Sequence, residues 1–496
     1  MPPSPRSTAL PPAREVTMTR RRALLRRTGC AVAVCLALAS CSTEASPSDP
    51  DPSGTPGASA SPDPQPPEQR ATLTYGVFGS ADEVAASQEV VDAYNAQATT
   101  VEVELRSWPT SRAMVRDLDE GAKAPDIYQV ARDELSGVVD AGRNVPLFGL
   151  LEDRNVSYGD NYPLDTIEAF SRDTDLQCMP YGISPMVLYL NTDLVDFDRM
   201  ALRGLPVPED PLRGMDIEQL TAAINFATRP RLRAKGFSLD PSLGALAPYL
   251  LSGGGSLFDD NDEPTSLDLS SDDNRETLAT VLELARNPRT TLTDAQLSQA
   301  TALEWFERGR LGMIAGDRSI TPVLREVPDL SFDVMMMPRV GRTVTTGSVT
   351  GVCISAGGQV QRAADFLVHL ISADGFAPVA QAGYLVPANT SVARSDVFLQ
   401  PGQQPENAGA FNASIDALEL QNVVADDRLL RVGVGPLVEA LFTSATPVGE
   451  AEIELATAEI DEISRPILDP TYVSPTESPE VSPTSPAASD SVSPSP

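Results

Sequence analysis

Thr72-Leu73-Thr74-Tyr75-Gly76-Val77-Phe78-Gly79-Ser80 decides the fold: a short β-rich run ends at Phe78, and Gly79-Ser80 opens a helical pattern with Val84, Val91 and Tyr94 on one face. Working outward, Val101, Val103 and Leu105 alternate as a strand does, and Met114, Leu118 and Ala122 follow at helical spacing. Asp126-Ile127-Tyr128-Gln129-Val130 supplies a third strand. This β-α-β-α-β order predicts an α/β fold built on a mainly parallel sheet with helices on both faces. Such sheets take ligands beyond the carboxyl ends of their strands. The loops after the first and third strands therefore hold the first candidate binding residues: Phe78, Gly79 and Ser80, then Gln129, Arg132 and Asp133.

Upstream, Arg20, Arg21, Arg22, Arg26 and Arg27 precede an apolar run from Ala31 to Ala39, which closes with Leu38-Ala39-Ser40-Cys41. A cationic start, an apolar segment too short to span as a stable helix and small residues before a cut read as an export signal over residues 1–40. A cysteine directly after Leu-Ala-Ser resembles the bacterial lipoprotein signal, in which the thiol is diacylated and becomes the first mature residue. Cys41 is then the lipidation site, and the protein sits on the extracytoplasmic face of the cell membrane, held by its lipid. Met18 opens a compact signal by itself, and the arginine cluster also resembles a twin-arginine signal, so the start codon and the export route both stay open. Residues 41–70 and 469–496 are rich in Ser and Pro and cannot bury enough apolar surface to offset their ordering entropy; they read as a disordered tether and a disordered tail. Residues 71–468 are long enough for two lobes of ordinary domain size.

The chain carries a net charge of −32. Residues 1–40 hold a net of +6, so the mature protein stands at −38. Such a surface is repelled by nucleic acid and by anionic lipid, which excludes the first as a partner and limits membrane contact to the anchor. Of the cysteines, Cys30 and Cys35 leave with the signal, and Cys178 and Cys353 remain as mature thiols in a compartment that permits oxidation. Metal chemistry is poorly served. The lone histidine, His369, lies in a helical pattern, and the acidic run Asp259-Asp260-Asn261-Asp262-Glu263-Pro264 has Pro where a calcium loop needs Gly, so it reads as a hairpin turn. No metal site and no cofactor are expected.

The residues then match something specific. Thr74 to Ser80, the helix ending Asp92-Ala93-Tyr94-Asn95 and Val101-Glu102-Val103 together resemble the opening of the extracellular solute-binding proteins of ABC importers related to maltose-binding protein. Gly121-Ala122-Lys123-Ala124-Pro125-Asp126-Ile127, Met179-Pro180-Tyr181-Gly182 leading to Leu188-Tyr189-Leu190-Asn191, and Trp305 through Gly312-Met313-Ile314-Ala315-Gly316 look like further segments of that family in its own order. Gly351-Val352-Cys353-Ile354-Ser355-Ala356 and Gly383-Tyr384-Leu385-Val386-Pro387-Ala388 resemble the returning crossing and its sequel. The resemblance implies two α/β lobes joined by crossing strands around a cleft: lobe one about 71–179 and 353–395, lobe two about 184–349 and 400–468. It implies that the ligand also meets Tyr181, Ser184, Asp317 and Arg318, with Tyr181 and Arg318 foremost. It places Cys178 on the outgoing crossing and Cys353 on the returning one, where a disulfide joins neighbouring strands.

Where sugar binders of this group often carry Trp, this chain has Gly316-Asp317-Arg318. Stacking partners for a sugar then come from Phe78, Trp108, Tyr128, Tyr181 or Tyr384. The expected function is capture of a small solute, a carbohydrate before others, by a monomeric receptor that delivers it to ABC permease subunits. A receptor-like lipoprotein that senses rather than transports is the second reading, and Arg318 also admits an anionic sugar. A surface hydrolase is the third, remote one: there is no Gly-x-Ser-x-Gly elbow and no metal-spaced cluster, so no enzyme activity is expected.

Overall fold

The computed structural model describes residues 70–473, apart from 211–212, 262, 422–426 and 444–447. The export signal, Cys41, nearly all of the tether and most of the tail lie outside the described residues. Strand β1 (Ala71–Phe78) pairs in parallel with β2 (Val101–Trp108) along its whole length, from Ala71↔Val101 to Phe78↔Trp108, and with β3 (Ile127–Ala131) through Tyr75↔Ile127. The helix Ala81–Gln97 starts where expected because Ser80 and Glu83 form a capping box that satisfies orphan N–H groups of its first turn. Asp126 locks the strands together. Its carboxylate accepts from Thr74 N (2.8 Å) and Thr74 Oγ1 (2.7 Å) on β1 and from Gln359 N (3.1 Å) ahead of the helix Val360–Leu370. Burial disfavours the charge, but these hydrogen bonds outweigh it and hold the carboxyl below its ordinary range.

After β4 (Asn144–Val145) and the small hairpin β5 (Ser171–Arg172) and β6 (Asp175–Leu176), strand β7 (Met179–Pro185) enters the first sheet. With β12 (Gly347–Ser355) and β13 (Val386–Pro387) it completes the order β13-β7-β12-β3-β1-β2, β4 pairing with β12. The second sheet has the order β11-β8-β10-β9, from β8 (Val187–Asn191), β9 (Lys235–Ser238), β10 (Leu311–Gly316) and β11 (Phe332–Met336). Among the named strands, parallel pairing, expected to dominate, is confined to β1–β3 and to β9 with β10. The other principal pairs are antiparallel because β7, β8 and β12 belong to the crossings and run against the strands they meet. The change of sheet is abrupt: only Met186 separates β7 from β8. Residues 180–183 and 350–352, expected at the crossing, and 184–185 and 347–349, expected in lobe two, are thus strands of the first sheet, where β7 and β12 pair from Gly347↔Pro185 to Val352↔Met179.

One continuous core runs from the first sheet through Tyr189 to Phe332, Val334 and Phe411, while the other face of the second sheet buries Leu188, Leu190, Met313 and Met335 in a separate core. Around this second core pack the helices Leu243–Gly253, Asp272–Ala285, Asp427–Thr443 and Glu450–Leu468. At the acidic run, Phe258 bridges Leu267 in antiparallel fashion, and the Asp259 carboxylate, held down at about 2 although burial works the other way, accepts from Thr265 N and Ser266 N.

Cys178 and Cys353 lie one register step beyond Met179↔Val352, both fully buried, and the structure joins them in a disulfide across 175 residues of sequence. Closing so long a loop restricts the unfolded chain, so reduction should lower stability by about 2–4 kcal/mol. Alkylation of the exported, denatured but unreduced protein should leave both residues unmodified, and intact mass checks it. Two added alkyl groups would mean that the bond is absent.

Candidate functional site

Register places the strand ends. Ala131, the last residue of β3, pairs with Thr350 near the start of β12, and Gly347 pairs with Pro185 at the end of β7, so β1–β3 terminate on the side where the chain crosses. From the second sheet, Gly316 and Met336 both register with Val187, at the same crossing. The loops after Phe78, after Ala131 and after Gly316 therefore surround one junction.

At the end of β1, Phe78 is half-buried opposite Trp108. Gly79 has φ +141 and donates its N–H to Trp108 O (3.1 Å); a Cβ there would lie 2.6 Å from the Glu83 carboxylate, which accepts from Ser80 N (2.7 Å). Only glycine makes this turn without displacing the cap. The Ser80 hydroxyl accepts from Glu83 N (3.3 Å). Arg132 opens the helix Arg132–Asp140 and donates from Nη1 to Gln421 O (2.5 Å), reaching from the first sheet to a segment that hydrogen-bonds with Thr345 through Ala417 and Glu419. Burial lowers the pKa of its guanidinium, and Asp133, exposed beside it, opposes the shift. Ser184, half-buried on β7, faces Ser348. The Asp317 carboxylate accepts from Ser319 N (2.8 Å), and its carbonyl accepts from Tyr189 OH (2.7 Å).

Three expected contacts have side chains enclosed by protein. Gln129 lies within β3 and donates to Tyr75 OH (2.8 Å). Tyr181 is 2% exposed, its ring 4.6 Å from that of Phe376, and burial raises its pKa well above the usual phenol value. Arg318 has no exposed surface. Its guanidinium lies between two rings, 4.6 Å from the centroid of Phe398 and 4.9 Å from that of Phe411, and it donates to Gly383 O (3.2 Å) and Phe398 O (3.4 Å). The guanidinium has no carboxylate partner among the described residues; burial, helped by nearby Arg325, pulls its pKa down to about 10. Arg318 thus joins the loop after β10 to helices flanking the first sheet. The other aromatic candidates divide likewise: Tyr128 is fully buried, Trp108 donates to Asp117 Oδ2 (2.9 Å) under the guanidinium of Arg106, and Tyr384 stays half-exposed. Burial raises the Tyr384 pKa, with Asp82, Glu83 and Glu326 adding to it, so the rim beside Gly383 is acidic. No local pattern pointed to Asp82, Gln421, Phe398 or Phe411, whose roles depend on partners far away along the chain. Two cavities, of about 910 and 800 Å³, lie on the second lobe away from this junction.

Residues 89–405 match the model of the bacterial extracellular solute-binding protein family. The chain belongs to that family. An uncharacterized lipoprotein from the oleD 5′ region of Streptomyces antibioticus is 28% identical over 179 residues, 36% of this chain and 38% of that protein. Among solved structures, the ABC substrate-binding protein Lmo0181 of Listeria monocytogenes, in complex with cycloalternan, superposes with a TM-score of 0.66 at 18% identity over 80% of this chain and 99% of that one. The GacH receptor of Streptomyces glaucescens, described with acarbose, gives 0.64 at 17% identity over 81% and 99%, and MalE of Xanthomonas citri gives 0.66 at 14% over 80% and 97%. These likenesses show the two-lobed, maltose-binding-protein-like fold. The family consists of binding proteins.

Arg318 acts on the lobe junction through packing. Arg318→Ala, which empties the space between Phe398 and Phe411, should lower unfolding free energy by about 2–4 kcal/mol, and Arg318→Met, which keeps the volume without a buried charge, should lose less. Denaturant titration of both variants checks the order.

Proposed function

We propose that this chain is a lipid-anchored receptor that captures a small neutral carbohydrate between its two lobes and delivers it to ABC permease subunits. The reading is carried by one observation in a chain of this family: the ends of β1–β3 and the loop after β10 converge on the crossing strands. Strand ends and helix starts there offer polar groups to a hydroxyl-rich ligand, and closure of the lobes over it shifts the population from open to closed. In this reading the first lobe is the unit built on β1–β3, β7, β12 and β13, and the second the unit built on β8–β11. Direct contacts come from Phe78, the Gly79 and Ser80 turn, Arg132, Asp133, Ser184 and Asp317, with Tyr384 as the stacking face. Gln129, Tyr181 and Arg318 support the site from within. The carboxylates around Tyr384 favour a neutral sugar over an acidic one, because an anion there would meet like charge.

A thermal-shift screen of linear and cyclic α-glucans, monosaccharides, polyols and amino acids tests the ligand class, since a ligand at a hundred times its dissociation constant adds about 2.7 kcal/mol. At least one sugar should raise the melting temperature, and Asp133→Ala with Tyr384→Ala should abolish that rise while leaving the unliganded protein as stable as before. A response confined to amino acids would sink the carbohydrate reading. The anchor is tested separately: Cys41→Ala should release the protein from membranes into the medium, and retention of a signal-cleaved variant would rule out lipid at Cys41.

A further inference from the structure

The mature chain is strongly acidic, yet one end of its second lobe is a face of cations. β9 begins at Lys235 beside Leu311 of β10, at the end of the second sheet opposite the crossing, where Gly316 meets Val187. Just before it, Arg229-Pro230-Arg231-Leu232-Arg233-Ala234-Lys235 places a cation at every second residue around the 3-10 turn Pro230–Leu232. The helix Phe197–Leu202 ends alongside: Arg203 and Arg229 stack on the same ring, Phe226, at 5.0 and 4.6 Å from its centroid. Among the described residues, none of Arg203, Arg229, Arg231, Arg233, Lys235 and Arg289 forms an ion pair, whereas several arginines elsewhere do, as Arg154 does with Asp365 (2.7 Å). Of the carboxylates nearby, Asp196 is paired with Arg199 (3.7 Å) and Asp198 lies in the first turn of its helix. The same face exposes apolar side chains, Leu202 at 87% and Leu232 at 52%. Beside it opens the cavity of about 800 Å³, lined by Arg233, Lys235 and Arg289 among polar groups.

Like charges gathered without counter-ions repel one another, and exposed leucines gain nothing from water. An anionic bilayer relieves both at once: phosphates meet the guanidiniums, and leucine side chains enter the headgroup boundary. A soluble anion would satisfy the cations and leave the leucines in water. We propose that this distal face of the second lobe docks on an anionic lipid bilayer, with headgroup phosphates at Arg231, Arg233 and the adjoining cavity, and with Leu202 and Leu232 in the interface. Local charge overrides net charge because fields beyond about 10 Å are screened by salt. The lobe then has a membrane contact of its own, beyond the lipid anchor to which the overall charge had limited it, and independent of the solute.

The test uses the full chain carrying Cys41→Ala, in co-sedimentation with vesicles of phosphatidylcholine alone or of phosphatidylcholine mixed with phosphatidylglycerol. The quantity read is the difference between this protein and further variants on the same vesicles, so the arginines of residues 1–40 contribute equally throughout. Arg231→Glu with Arg233→Glu should weaken binding to anionic vesicles by on the order of tenfold or more. Leu202→Ser with Leu232→Ser should weaken it several-fold, and Arg362→Glu with Arg394→Glu, outside this face, should change it little. Equal binding by the parent and the Arg231/Arg233 variant would overturn the proposal. So would an equal loss in the Arg362/Arg394 variant, which would mean net charge alone, or a loss in the arginine pair with none in the leucine pair, which would mean contact by charge alone with no leucine in the interface. Unchanged melting curves exclude misfolding as the cause.

Discussion

One residue, Met186, lies between a strand of the first sheet and a strand of the second. Its backbone has no freedom to spare: the N–H donates to Thr346 O (2.8 Å), and the carbonyl accepts from Thr345 Oγ1 (2.6 Å) on the returning segment. The two crossings are thus hydrogen-bonded to each other where they pass between sheets. Any rotation of the lobes has to be absorbed by a few dihedral angles around this pair. The other ties gather nearby, with the disulfide just inside the first sheet, Arg132 reaching Gln421, and Arg318 held between two phenylalanine rings.

Arg318 shows how a buried cation can sit without a carboxylate. Two ring faces and two carbonyl oxygens replace water, and a guanidinium, flat and weakly hydrated, suits that setting better than an ammonium would. The arrangement leaves Nη1 without a hydrogen-bond partner among the described residues. Loss of water around the buried guanidinium pulls its pKa down to about 10 and leaves the group charged at neutral pH.

The first sheet was legible because its signals are local. Alternation in Val101, Val103 and Leu105, the helix start at Gly79-Ser80 and the Pro125-Asp126 step each act within a few residues, and each is present in the structure. Side-chain direction at the site was not legible. β7 is buried at nearly every position and β3 likewise, so the two-residue period that would tell cleft from core carries no contrast at Tyr181 or Gln129. The enclosure of Arg318 depends on Gly383, Phe398 and Phe411, which only the tertiary fold brings to it. Charge was misleading in the same way: a whole-chain sum hid a cationic end because it averages over faces that a surface separates.

The interleaving of the two lobes has a consequence for the order of assembly. β12 and β13, which the first sheet requires, follow β8–β11 in the sequence, so the strands of the second sheet are synthesised as one uninterrupted block while the first sheet is still missing members. Strand β7 waits for β12 and then, until the chain has advanced past residue 387, for β13, while Cys178 waits for Cys353. Contacts of such sequence separation make for slow closure. The late partner means that the bond between the crossings is a covalent record that every strand of the second sheet has been made: a chain that ends before residue 353 cannot acquire it.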